Sequence, residues 1–314
     1  MNLHTQDDSL FNELIYNTAA TFGLEEYQVE KDYYVSLLLK KIAEVSPEIV
    51  FKGGTSLSKC YDVIKRFSED IDLNIRVDER VSRTQKKKLK EGILAAIESV
   101  EMKFLNDIVE PVVENKSNWD FNKYLVGYSK AQEGETFMIN HIIVETNVTY
   151  RAFPCEELNV SNYITKYLEQ NNMEELILTY DLMPFPIKVQ TIERTFIDKI
   201  FAICDYHELG NYNRYSRHIY DIHKIWESGL VTLDTLKAIL PEVIEIRRPG
   251  RDTISCKSGY ELVKTLEDII ISNSYKNDYD TNTTEFLAEI LPYEEAIKSL
   301  KSILQSGILP HRIA

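Results

Sequence analysis

A glycine pair followed within twenty residues by two aspartates spaced two apart does most to limit how this chain folds. The stretch Phe51-Lys52-Gly53-Gly54-Thr55-Ser56-Leu57-Ser58-Lys59 leads on to Phe67-Ser68-Glu69-Asp70-Ile71-Asp72-Leu73. The run Glu48-Ile49-Val50-Phe51-Lys52 reads as a strand ending in a tight turn. Gly53 and Gly54 lack a Cβ, so the backbone can turn sharply there and approach a ligand closely. Residues 56–66 read as a helix that Thr55 and Ser56 open, where unpaired N–H groups and hydroxyls attract phosphate oxygens. Ile71-Asp72-Leu73-Asn74-Ile75 alternates as a strand does. Its period of two puts the Asp70 and Asp72 carboxylates on one face, where they repel unless a cation lies between them. Mg²⁺, a hard ion that takes oxygen ligands and bound phosphate, is the usual solution. The segment therefore reads as a site for a nucleoside triphosphate and one or two metal ions. It is not a Walker A loop, because Lys59 comes too early for that pattern. Taken singly, a Gly-Gly turn is often only a turn and an Asp-x-Asp pair only solvated; their order and spacing join them.

The rest of the chain sorts into two parts. Leu10, Leu14, Ile15 and then Leu37, Leu38, Leu39, Ile42 recur at helical spacing, with Gly23 as a stop between two helices. Residues 86–100 read as another helix. Residues 119–128 and 137–150 are rich in β-branched and aromatic side chains, and His141–Tyr150 is the strongest strand pattern. Beyond residue 155 nearly everything is helix-patterned, including 191–206, 215–228, 260–272 and 291–304, apart from a short run at 186–189. The expected class is α+β: an N-terminal α/β core with a mixed sheet and flanking helices over 1–155, and a mainly helical C-terminal domain over 156–314 that completes the active-site groove.

Composition narrows the classes of function. With 314 residues and a net charge of −14, the chain is built for a packed core and is a poor non-specific binder of nucleic acid. Its basic runs, at 83–90 and 247–251, read as local patches or as solvated helix faces and loops. No apolar run is long enough to span a membrane, and the start of the chain lacks a signal-peptide pattern, so a cytoplasmic setting is expected. Cys60, Cys155, Cys204 and Cys256 lie far apart without a CxxC pair, which argues for packing residues. The six histidines show no metal-ligand spacing.

Lys199 stands out on other grounds. Ile192, Phe196, Lys199 and Ile203 form one helical face, so Lys199 replaces an apolar residue on the core side. A buried ammonium is costly without an anionic partner; the alternative is a lysine snorkelling along the core edge. Arg217 and Asp221, an i, i+4 pair, read on physical grounds as a surface ion pair.

These motifs together resemble the AbiEii/AbiGii toxin branch of the DNA polymerase β-like nucleotidyltransferase superfamily. The resemblance rests on Gly53-Gly54-Thr55 and Ser68-Glu69-Asp70-Ile71-Asp72-Leu73, which bracket a helix. It extends to Val29-Glu30-Lys31-Asp32-Tyr33, to Glu193–Ala202 with a lysine at 199, and to Arg217-His218-Ile219-Tyr220-Asp221, covering roughly residues 25–226. His218 stands where the family usually has an acid. The resemblance implies transfer of an NMP from an NTP to an acceptor hydroxyl, with release of pyrophosphate. It assigns Mg²⁺, with Mn²⁺ as an alternative ion, to Asp70 and Asp72, and the phosphates to Gly53, Gly54, Thr55, Ser56 and Lys199. It makes Asp221 an active-site acid. A third carboxylate is expected from a neighbouring strand; Glu145 is the candidate, against a solvent-facing glutamate or a partner for Arg151. The implied acceptor is RNA, such as a tRNA 3′ end, in a toxin–antitoxin or phage-defence setting with a cognate antitoxin. Transfer to a small molecule or protein side chain, and non-catalytic NTP binding, stay open as alternatives.

Overall fold

Alternating apolar residues on Ile71, Leu73, Val144 and Phe51 build the centre of a seven-stranded sheet, in the order β3-β4-β5-β2-β1-β7-β6. The strands are β1 (Val50–Lys52), β2 (Asp70–Asn74), β3 (Lys103–Phe104), β4 (Phe121–Gly127), β5 (Ile142–Asn147), β6 (Cys155–Val160) and β7 (Phe185–Gln190). The structure is a computed structural model describing residues 2–66, 70–75, 80–106, 120–129 and 140–314. Phe67, Ser68 and Glu69 of the motif, and residues 119 and 137–139 of the expected strand stretches, lie outside the described residues. The sheet is mixed: β1 runs antiparallel to β2 and parallel to β7, whereas β2 runs parallel to β5 and β5 antiparallel to β4.

The chain divides into two compact units, one of Met1–Cys60 with Ser68–Val189, the other of Tyr61–Phe67 with Gln190–Ala314. The first holds the sheet and helices α1 (Leu3–Gln6), α2 (Asp8–Phe22), α3 (Glu26–Val45), α4 (Gly53–Lys59), α5 (Arg83–Ser99), α6 (Tyr163–Gln170) and α7 (Glu174–Thr179). Local chemistry sets their ends. Gly23 closes α2 in the left-handed conformation at φ 65°. Ser82 and Gln85 form a capping box at the start of α5. The core of this unit joins Leu14, Ile15, Leu38, Leu39 and Ile42 of α2 and α3 to Phe51, Ile71 and Leu73 of the sheet. Each such side chain contributes about 1.5–3 kcal/mol by leaving water.

The second unit is helical: α8 (Ile192–Glu208), α9 (Arg217–Glu227), α10 (Leu233–Arg247), α11 (Leu262–Ser272), the one-turn α12 (Lys276–Asp278) and α13 (Tyr293–Gln305). A mixed α/β N-terminal region and a largely helical C-terminal region are thus both present, as the residue patterns indicate. Two elements differ from the reading. The helix expected at 56–66 begins earlier, at Gly53, and stops at Lys59; Asp62 then takes a positive φ of 54°, which no helix continues. Strand β6 carries Glu156 and Glu157 at a sheet edge, where polar residues replace the alternation that marks a strand. Among the described residues no helix is long and apolar enough to cross a membrane, and all four cysteines are free thiols.

Candidate active site

Strand pairing carries the three candidate carboxylates to one face of the sheet. Ile71 and Leu73 point into the core, so Asp70 and Asp72 point to the opposite face. In the parallel pairing of β2 with β5, Asp72 lies beside Glu145, which puts Glu145 on that same face. Lys123 of β4 is the register partner of Glu145 on its other side, and its Nζ lies 3.0 Å from Glu145 Oε1. Glu145 thus pairs with Lys123, not with Arg151 as one alternative had it. Burial and then the charge of Asp72 push the Glu145 carboxyl above the usual glutamate range, Asp70 adds to the rise, and Lys123 opposes it.

The glycine turn closes on this face. Gly53 follows β1 directly and adopts φ +80°, open to glycine and strained for other residues. A Cβ built there would stand 2.9 Å from Asp72 Cγ and closer still to Oδ2. The backbone of the turn therefore touches the Asp72 carboxylate, an approach that only glycine permits. Thr55 Oγ1 donates to the Asp70 carbonyl oxygen at 2.5 Å, and Ser56 Oγ donates to the Gly53 carbonyl oxygen at 2.9 Å. Both residues are buried. Their hydroxyls brace the turn and tie it to β2.

Helix α4 is held from its far end. Lys59 Nζ lies 2.6 Å from Asp32 Oδ1 and donates to Ser36 Oγ at 2.7 Å. The second Asp32 oxygen accepts from the Tyr163 backbone N–H at 2.9 Å. Asp32, within the Glu30-Lys31-Asp32-Tyr33 run, thereby joins α3, α4 and the start of α6.

The second unit has its own charged centre. Asp221 is fully buried and accepts from Arg66 Nε (2.7 Å) and Nη2 (2.8 Å) and from Lys199 Nζ (2.7 Å). It is therefore not a surface partner of Arg217. Burial alone would raise the Asp221 carboxyl; Arg66 and Lys199 outweigh it and hold the carboxyl well below the usual range. Burial pulls the Lys199 ammonium below the usual lysine range, and Arg66 adds to that, against the attraction of Asp221. His218 Nδ1 lies 3.5 Å from Lys199 Nζ, and burial with the Lys199 charge pulls that imidazole well below the usual histidine range. Ile192, Phe196 and Ile203 on the same helix face are buried, as the stripe predicts.

Several members of the basic runs are engaged by neighbouring groups. Lys86 pairs with Asp120, and Lys87 lies 3.6 Å from Glu91. Arg247 reaches Asp198 (3.0 Å) and Asp205 (2.9 Å), and Arg248 donates to the Ala314 carbonyl oxygen at 2.6 Å. Sequence reasoning did not find Arg66, Lys123, or the Asp32–Lys59 pair as parts of these centres. Only the strand register reveals Lys123, and only the fold of residues 61–66 reveals Arg66.

Among the described residues, no group of three or more His, Cys, Asp or Glu side chains is arranged to hold a metal ion. Mg²⁺ does not require one, because one or two carboxylates plus substrate phosphates commonly complete its shell. The adjacent carboxylates on one face, and the raised Glu145 carboxyl, fit a site that a cation would relieve.

The model of the family described as "Nucleotidyl transferase AbiEii toxin, Type IV TA system" matches residues 37–306, and the chain belongs to that family. Among solved structures, JHP933 from Helicobacter pylori is similar at 18% identity and a TM-score of 0.49, over 90% of this chain and 92% of that one. MenT4, a nucleotidyltransferase toxin from Mycobacterium tuberculosis H37Rv, is similar at 15% identity and a TM-score of 0.43, over 96% and 84%. No match is found among curated proteins. The family assignment rests on the sequence match over residues 37–306.

Proposed function

We propose that this protein moves an NMP from an NTP to an acceptor hydroxyl, with Asp70, Asp72 and Glu145 as its reacting face. The observation that carries this reading is the contact of the Gly53 turn with Asp72, itself beside Glu145 in the sheet. Phosphate-binding backbone and anionic carboxylates belong together only if something positive joins them. Asp70 and Asp72 would hold Mg²⁺ (or Mn²⁺), which when bound neutralises charge on the phosphoryl oxygens.

The protein's own groups supply the rest. The N–H groups of the Gly53–Ser56 turn orient the phosphates, and the braces from Thr55 and Ser56 keep that turn rigid. Glu145, with a raised affinity for a proton and Lys123 steadying it, takes the proton of the acceptor hydroxyl. The acceptor oxygen then bonds to the α-phosphorus as the bond to pyrophosphate breaks. Lys199, oriented by Asp221, attracts anionic substrate through its ammonium. Positioning and charge stabilisation provide most of the rate gain.

The acceptor is proposed to be RNA, such as a tRNA 3′ end, because the family is one of nucleotidyl transferase toxins from type IV toxin–antitoxin systems; a cognate antitoxin is the proposed partner. A small-molecule or protein acceptor is the second reading. It is favoured by the net charge of −14 and by the internal pairing of Lys86, Arg247 and Arg248. Pyrophosphate release tests both. An RNA acceptor should show activity that falls steeply between 50 and 200 mM salt, on the order of 10-fold or more, and a small acceptor little change. NTP binding without pyrophosphate from any acceptor would leave only a binding protein.

A further inference from the structure

Residues 61–66 connect α4, which opens on the glycine turn, to the chain leading into β2, which opens on Asp70. This link packs within the helical unit. Tyr61 Oη donates to the Gln190 carbonyl oxygen at 3.1 Å, and the Lys65 N–H donates to Tyr220 Oη at 3.1 Å. The Ala288 N–H donates to the Lys65 carbonyl oxygen at 2.9 Å, and Arg66 bridges Leu287 in antiparallel fashion. The link ends in the two-point grip of Arg66 on Asp221.

We propose that Arg66 is a positioning residue for nucleotidyl transfer: its grip on Asp221 fixes the carboxylate that orients Lys199 and fastens residues 61–66 to α9. The inference rests on the reading that Asp70 and Lys199 serve the reaction. The physical reason lies in the guanidinium. Its planar fork meets both oxygens of one carboxylate, so it sets orientation as well as charge, whereas an ammonium fixes one point only. The remaining groups around Asp221 do not replace that fork. Lys199 of α8 supplies one contact, while Arg217, His218 and Tyr220 lie on α9 itself and Tyr279 approaches from the 279–283 turn. Tyr220 is bound to the link through Lys65, so α9 holds the link by two adjacent residues.

The test uses the full chain with Arg66→Lys and Tyr220→Phe, beside wild type and Asp70→Ala. Each is measured for kcat, corrected for the folded fraction, and for KM of the NTP. Arg66→Lys is expected to lower kcat about tenfold or more with KM within roughly threefold, since misplacement costs rate and spares ground-state binding. Because each rate is corrected for the folded fraction, a loss of folded protein alone would leave kcat unchanged. Tyr220→Phe keeps every charge and should lower kcat about threefold at unchanged KM; it decides the matter if Arg66→Lys does not fold. Transfer that needs Asp70 yet is unaltered in kcat in the folded variants overturns the role of Arg66 alone. Wild-type protein that transfers nothing overturns the underlying reading and this inference with it.

Discussion

Substituting Gly53 by alanine separates the function of the turn from its cost to the fold. At φ +80° an alanine is strained, and its Cβ would lie 2.9 Å from Asp72 Cγ. Carbon atoms in contact ordinarily sit about 3.5–4.0 Å apart, so the Asp72 carboxylate must retreat by roughly 1 Å. Gly23 is the matched control: it has φ +65° and nothing within 4 Å of an added Cβ. Both substitutions incur the backbone term of about 1–3 kcal/mol, read by urea denaturation. Only Gly53→Ala also displaces Asp72, and a misplacement of about 1 Å costs on the order of 100-fold in rate. The assay is pyrophosphate release at saturating NTP, with each variant corrected for its folded fraction. Gly53→Ala is expected to fall on the order of 100-fold below Gly23→Ala. Equal rates in the two variants would refute the claim that the turn and Asp72 work as one site.

Further expectations follow from the same contacts. Asp70→Ala or Asp72→Ala should abolish transfer and leave the urea midpoint unchanged or raised, because each removes a charge from a face of like charges; an active variant would end the metal-site assignment. Asp221→Asn strands Arg66 and Lys199 without their anion and should destabilise the fold by about 3–5 kcal/mol, and a loss below about 1 kcal/mol would mean that the cluster is dispensable. In wild type the Asp221 carboxyl is held below its unfolded value, so its contribution is present above about pH 4 and lost as pH falls through the folded value. Stability curves of wild type and Asp221→Asn should therefore be farthest apart above pH 4 and converge in acid; curves that stay parallel would contradict the buried pairing. Lys199→Ala should weaken NTP binding or slow turnover, and unchanged kinetics would return Lys199 to a structural part. Lys59→Met should cost about 3–5 kcal/mol by leaving Asp32 buried without its ammonium, with a smaller cost when combined with Asp32→Asn.

Much of this could be read in the chain before its structure. Gly53 and Gly54 mark a turn because of what they lack, and Asp70 and Asp72 share a face because strands repeat every two residues. Those are local facts. Glu145 is different: its alternation marks a strand, but its place beside Asp72 depends on the pairing of β2 with β5, which local patterns do not encode. Lys123 is hidden for the same reason. Arg66 is a lone arginine in sequence, and its partner Asp221 lies far along the chain. Asp221 itself, spaced four from Arg217, has the pattern of a surface pair, and only its complete burial shows otherwise. The early end of α4 was equally obscure, because residues 61–66 are held by contacts to Gln190, Tyr220 and Ala288 that override local helix preference.

The most direct test of the reacting face is incubation of the purified protein with each of four α-³²P-labelled NTPs, Mg²⁺ and total cellular RNA, followed by a denaturing gel, with Asp70→Ala alongside. The expected result is label from one or more nucleotides on a discrete RNA band that is absent with Asp70→Ala. Equal label in wild type and Asp70→Ala, with the fold of both verified, would contradict the assignment of that face as the site of nucleotidyl transfer.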